Sequence, residues 1–301
     1  MTSITFHSAP RTRAVLLAQI RAVRFAPRGP VLVAIAVVAV ATLLITIESL
    51  TRGEVIPFQP HHQMLPGIVG LLLPVVVWRG EERFGASFLW TLPVDRWRHA
   101  LAKVFAGWVW LMGGVALFVL WSLALTLFSG GNILADETLR VLSSSPLSAS
   151  PRLDPAALET VRRKPQPLLW LTPFTSATAT YLLASALGLA TRHPLRWIVG
   201  SVIGYYIVFG VGEAANAVWL GNILEPLLES LFEGRYGLDA LLTARTTFLS
   251  NEATLSTGGR VVVWRALPDV GQWATATLLW TGTGLVTVWA AAYRHREGRR
   301  A

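Results

Sequence analysis

The sequence predicts an all-α integral membrane protein with six transmembrane helices, an N-terminal amphipathic surface helix, a cytoplasmic elbow between spans two and three, and short helices in the outer loop before span six. Three observations predict it. Of 301 residues, 53% are hydrophobic and 14% are charged, more apolar surface than a soluble core can hide. The apolar residues gather in blocks about as long as the 20 or so residues a helix needs to cross a hydrocarbon core about 30 Å thick. The basic residues are also distributed unevenly, crowding the segments on one side of those blocks.

The chain reads as one transmembrane domain, 1–301. Residues 1–30 form a surface segment in which Arg11 to Pro27 is helical, with Arg13, Arg21, Arg24 and Arg28 sharing one face and Leu16, Ile20 and Val23 another. Such a helix lies on the membrane and meets anionic headgroups, or else the segment is a positive flank that only sets topology. Spans follow at about 31–50, 56–78, 104–128, 168–191, 197–220 and 270–293. The first is too long for the h-region of a signal peptide, about 7 to 15 residues, and reads as a retained span. The second is the weakest: Met64 to Trp78 is short and holds Pro66 and Pro74, so it spans only if Ile56 to Gln63 contributes or the segment bends against its neighbours.

With both termini inside, sixteen basic residues fall on the cytoplasmic side: Arg11, Arg13, Arg21, Arg24 and Arg28 before span one, Arg79, Arg83, Arg96, Arg98 and Lys103 between spans two and three, Arg192 and Arg196 between four and five, and four more in the tail. Only Glu81, Glu82, Asp95 and Glu297 oppose them there, whereas the outer loops hold ten basic and eleven acidic residues. The formal net charge of +9 is therefore a topology signal, and nucleic acid is not an expected partner. Of the outer loops, 129–166 reads as a partly flexible cover with a short helix at Pro155 to Arg163. In 221–269, Glu225, Glu229 and Glu233 oppose Leu224, Leu227, Leu228 and Leu231 on a helix stopped by Gly234. Leu238 to Phe248 adds a second short helix, and Thr257 to Arg260 turns the chain toward the last span.

Several chemistries are excluded. The two lysines, Lys103 and Lys164, follow Ala102 and Arg163, so the chain carries no Gly-Lys-Ser/Thr phosphate loop. The six histidines make no His-Glu-x-x-His zinc helix, no Gly-x-Ser-x-Gly elbow exists, and zero cysteines remove thiolate sites. Neither a catalytic nor a metal or cofactor site is expected in this chain. Glu81-Glu82-Arg83 resembles, faintly, the Glu-Glu-x-x-x-Arg motif of intramembrane CAAX-type proteases, but position 86 is alanine and no histidine follows within a span. Among charges inside spans, Glu48 sits at an outer end, while Glu213 lies deeper with Asn216 on the same face; Glu213 and Asn216 are candidate path residues, the alternatives for Glu213 being an acid at the outer interface or a pair across a subunit interface.

The informative segment is the inner connection from Trp78 to Trp108. Phe84, Phe88, Leu89 and Leu92 suit a short amphipathic helix, Pro93 ends it, and Asp95 caps a new helix that begins at Arg96 and runs into span three. Such an elbow is shaped to receive force from a soluble partner, although an ordinary interfacial helix anchored by tryptophans fits the same residues.

Glu82-Arg83 with Gly85, then Phe88-Leu89-Trp90-Thr91-Leu92-Pro93-Val94-Asp95-Arg96 and Lys103, resembles the Glu-Arg, Gly-Thr, Leu-Pro-Val-Ser-Arg and Lys signature of the type-2 permease family of ABC exporters. Ala86 stands where that family often has threonine, Asp95 replaces serine, and the loop 129–166 is longer than in minimal members. The resemblance implies a permease subunit that moves a small amphiphile, drug, lipid or peptide across the plasma membrane (the bacterial inner membrane). It implies two soluble ATPase subunits that bind the ATP and Mg²⁺, and a second permease copy or homologue. It also makes Glu81, Glu82, Arg83, Phe88, Leu92, Pro93, Asp95 and Arg96 the coupling residues. The alternatives are a six-span intramembrane enzyme and a non-transporting scaffold or sensor.

Overall fold

The computed structural model describes residues 55–60, 63–78, 96–142, 158–191, 193–214, 229–244, 251–254, 260–263 and 267–294, together with positions 17, 20, 40, 43, 44, 46, 47, 51 and 226. Among these, the helices are α1 (Leu65–Val77), α2 (Arg96–Phe128), α3 (Thr172–Ala190), α4 (Pro194–Ala214), α5 (Leu238–Thr243) and α6 (Val270–Tyr293). The strands are β1 (Glu137–Leu142), β2 (Leu158–Arg163), β3 (Asn251–Thr254) and β4 (Arg260–Val263).

α3 is the hub, packed against α1, α2, α5 and α6, while α4 touches it lightly. Its sequence explains the position. Ser176, Ala177, Ala179, Ala184, Ser185 and Gly188 are buried and small, so neighbouring backbones come close. An added Cβ at Gly70 would overlap Thr180 Oγ1 and the Ala177 carbonyl, and Thr180 Oγ1 donates to Gly67 O at 2.8 Å, a bond that joins α3 to α1. Trp108 Nε1 on α2 donates to Thr178 Oγ1 at 3.1 Å.

The outside is the reverse of a soluble protein. Leu117, Phe128 and Leu278 are 69%, 85% and 76% exposed, and Trp121, Trp197, Ile203, Ile207, Leu285, Val286 and Trp289 are exposed with them. Large apolar side chains face out around a core in which Val77, Trp78, Leu111, Tyr181 and Leu182 pack with alanines, and exposed apolar surface on this scale is costly in water and favourable in lipid. Of the described helices, Trp97–Phe128 is long and apolar enough to cross a membrane, and only 17% of its apolar window is buried, unlike the core helix of a soluble protein.

The connections of α2 to α3 and of α4 to α6 meet at one end of the bundle, called here the hairpin end. β1 and β2 pair antiparallel from Glu137 opposite Arg163 to Leu142 opposite Leu158. β3 and β4 pair from Asn251 opposite Val263 to Thr254 opposite Arg260, and β1 lies beside β4. The Arg163 guanidinium donates to Pro268 O, binding the first hairpin to the start of α6. Residues 158–163 thus form a strand where a helix is expected from the sequence, because Thr160 and Val161 are β-branched and find their partner strand some twenty residues upstream.

Prolines shape the chain before α1. With Pro57, Pro60 and Pro66 unable to donate, residues 55–59 stay irregular and the helix begins only at Leu65. Its 13 residues reach about 20 Å, and before it residues 55–59 are not helical while Pro60 is in a 3-10 turn. That segment instead lines the hairpin end, with Ile56 N donating to Ser129 Oγ at 3.1 Å and Phe58 edge-on to Trp170 at 5.2 Å. In the second long loop, Glu229–Glu233 is a π-helical turn that stops before Gly234, and α5 ends at Thr243 rather than Phe248. α6 fills 270–293 and is capped by Asp269, whose Oδ1 accepts from Gly271 N and Gln272 N at 2.6 and 3.2 Å. Asp269→Ala should cost about 1 kcal/mol and lower the melting temperature in detergent by a few degrees.

Candidate functional site at the base of the elbow

The opposite end of the bundle carries the connection between α1 and α2. Glu81, Glu82, Arg83, Phe88, Leu92, Pro93 and Asp95 lie outside the described residues, and so does Asn216. Arg96 is the first residue of α2, and Glu213 lies in the last turn of α4; only their backbone positions are described. The described geometry is therefore that of the two helix ends that flank residues 79–95.

These ends are fastened to each other. Trp78 closes α1, its N–H donating to Pro74 O at 3.0 Å, and is 2% exposed. Lys103, seven residues into α2, is 5% exposed and holds its ammonium 4.7 Å from the centre of the Trp78 ring. A cation on the face of a tryptophan is worth about 2 kcal/mol when both are withdrawn from water. His99, one helical turn before Lys103 and on the same face, is also buried. Arg98, on the other side of the helix, is exposed and stands over the Trp97 ring at 5.4 Å.

α3 supplies the third wall. Tyr181 is fully buried and its hydroxyl donates to Val104 O at 2.8 Å, one residue beyond Lys103. The approach requires Gly107, where any Cβ would overlap that hydroxyl and crowd Val77. Tyr181→Phe should cost about 1 kcal/mol, the usual net worth of such a bond, and melting of the purified chain measures it. The N-terminal segment reaches the same helix: Trp110 Nε1 donates to Ile20 O at 2.9 Å, and Ile20 packs on the core cluster of α2 and α3.

In this socket Lys103 and Trp78 tie the neighbouring ends of α1 and α2 to each other, and Tyr181 ties α2 to the hub helix α3. Lys103 stands out in the sequence through its spacing from Pro93. His99, Trp78 and Tyr181 do not, although the four-residue spacing of His99 and Lys103 at the start of an apolar helix is a usable signal. On α4, Arg196, Trp197, Gly200 and Ser201 border an open space of about 490 Å³ along one face of the helix, and an added Cβ at Gly200 or Gly204 would meet no atom within 4 Å. Compared with known family models, curated proteins and solved structures, the chain matches none.

Proposed function

We propose that the chain is the membrane-spanning permease subunit of an ATP-driven exporter, working as two copies, or one with a homologue, beside two soluble ATPase subunits that bind the ATP and Mg²⁺. In this reading it crosses the plasma membrane six times with both termini in the cytoplasm, and the hairpin end faces outward. The carrying observation is the clamp between Trp78 and Lys103 beneath a segment rich in charged and aromatic residues. A loop held at both ends by a rigid socket passes a push to two helices at once, whereas a loop on slack tethers absorbs it. The belt of exposed apolar side chains supports the membrane setting, and the resemblance of 82–103 to the exporter signature supports the partner.

ATP binding closes the ATPase pair, and the closure shifts the permease between inward-open and outward-open populations through the elbow. The substrate is a small amphiphile, drug, lipid or peptide, for which Glu213, Asn216 and the open face of α4 are the path residues. Glu82, Arg83 and Arg96 make the charged contacts to the ATPase, with Glu81 and Asp95 beside them and Phe88, Leu92 and Pro93 shaping the segment. Replacing Glu82 and Arg96 together by alanine should reduce ATPase co-purification at least about tenfold, the loss of two charge-assisted contacts, with the permease still folded. Undiminished co-purification of the ATPase and undiminished export would sink the assignment.

A further inference from the structure

We propose that the turn Gly234–Gly237, with Arg235 at its tip, is a binding site for the headgroup of an anionic phospholipid of the outer leaflet. The proposal rests on the membrane setting and the outward-facing hairpin end of the proposed function, and on nothing about the ATPase.

The turn is fastened to the flank of α6. Tyr236 O accepts from Trp280 Nε1 at 2.9 Å, and Ala240 and Leu241 share a cluster with Ala276. Ala244 packs on Trp273, and its carbonyl accepts from Asp269 N at 2.9 Å. Residues 236–244 therefore climb α6 from Trp280 to Asp269, and the turn stands at the low end of that stretch. Trp280 is ten residues beyond Val270, about 15 Å along the helix, which puts the turn within the outer half of a hydrocarbon core about 30 Å thick.

Its surroundings suit lipid. Leu278 and Leu279, which precede Trp280 on α6, are exposed, and so are Leu231 and Phe232 in the π-helical turn just before Gly234. A carbonyl bared by a turn at this depth has no water to pair with, and the Trp280 indole supplies the donor.

Arg235 is the exception among these neighbours. It is exposed, its guanidinium stands 5.7 Å from the centre of the Tyr236 ring, and among the described residues no carboxylate is paired with it. A cation at membrane depth is costly and marks a site by default, with a counter-charge to be named. Nor does Arg235 ride on a slack loop. Gly237 N donates to Gly234 O at 2.8 Å, closing the turn, and an added Cβ at Gly234 or Gly237 would overlap the carbonyl oxygen of Ser230 or of Phe232. The two glycines thus press the turn onto the preceding one and fix the point from which the arginine extends. From there its stem lies along apolar neighbours toward the headgroup layer, and its planar fork takes two phosphate oxygens. Charge names the occupant: the guanidinium is neutralised by a headgroup that is a net anion, and less well by a phosphate already balanced by its own amine. Exposed Leu231, Phe232 and Tyr236 offer the acyl chains an apolar wall that a free phosphate ion does not use.

The test uses the purified full chain in a neutral detergent, titrated with short-chain phosphatidylglycerol, and follows the rise of each variant above its own lipid-free melting temperature. Arg235→Gln removes the cation at the turn, and Arg140→Gln removes an exposed cation from β1 at the same end as the control. The half-saturating phosphatidylglycerol concentration should increase about tenfold for Arg235→Gln, the loss of one charge-assisted contact, and stay at the wild-type value for Arg140→Gln. Phosphatidylcholine should saturate at higher concentration than phosphatidylglycerol, and inorganic phosphate should give no rise. Wild-type affinity in Arg235→Gln, an equal loss in Arg140→Gln, or an equal response to phosphatidylcholine or inorganic phosphate overturns the site. Carbonate washing of membranes separates the two levels of failure. A chain washed off fails the membrane setting, whereas a retained chain whose Arg235→Gln variant binds as wild type fails the site alone.

Discussion

Gly70→Leu should leave almost no folded chain in detergent extracts, and Gly70→Ala should lower the melting temperature sharply. At Gly70, α1 and α3 meet backbone to side chain: a Cβ there would collide with Thr180 Oγ1 and with the carbonyl of Ala177. The hydroxyl is not free to swing away, because it donates to Gly67 O and to Ser176 O at 2.8 and 2.9 Å. The carbonyl belongs to the hub helix and moves only if α3 moves. Overpacking a tight core costs about 1 to 3 kcal/mol for one added carbon and more for a branched side chain. Gly114, where an added Cβ meets nothing within 4 Å, is the matched control and should accept alanine with little loss. Equal melting of Gly70→Ala and Gly114→Ala would show that the α1 and α3 contact is not as close as described.

Lys103→Glu is the second large effect. The substitution turns a cation on the Trp78 ring face into a buried anion against the negative face of the same ring. Reversing a charge that is 5% exposed leaves it without compensation at a cost of about 3 to 5 kcal/mol, unless the carboxyl takes up a proton. Lys103→Met keeps the apolar stem and loses the cation, so it should cost about 2 kcal/mol or less. If the exporter reading holds, Lys103→Met should also weaken the stimulation of the ATPase by substrate while leaving ATPase co-purification intact, because the clamp joins the ends of α1 and α2 on either side of 79–95. Thermal melting and ATPase assays of the same preparations separate the two effects. Melting of Lys103→Glu at the wild-type temperature would remove the clamp from the structure.

What the sequence revealed depended on how local its cause is. α6 occupies 270–293 because a capping aspartate precedes a long uninterrupted apolar run, both readable from adjacent residues. Residues 158–163 were not legible: Glu159, Thr160 and Val161 suit a strand only once Glu137–Leu142 lies alongside, and periodicity within six residues cannot announce a partner beyond a Ser/Pro-rich stretch. α5 stops at Thr243 because Ala244 is pulled into a left-handed turn by Asp269, twenty-five residues on. The candidate site divides along the same line. The elbow residues and Lys103 stand out as motif, but the socket is made of Trp78, Lys103 and Tyr181 from three helices, and their meeting is a property of the fold. Buried serines and threonines in α3 also depress its apolar signal, since a hub helix enclosed by others has little need of large side chains.

The exporter reading requires that the Leu92 to Asp95 segment lie in the cytoplasm and be gripped there by a soluble ATPase. A single cysteine introduced at Val94, in a chain with none of its own, addresses this directly. The expected result is no reaction with an impermeant maleimide on intact cells, rapid reaction once the cytoplasmic face is opened, and protection when the ATPase is bound. Rapid labelling of Val94→Cys on intact cells would place the segment outside and contradict the topology, the socket's role and the exporter reading together.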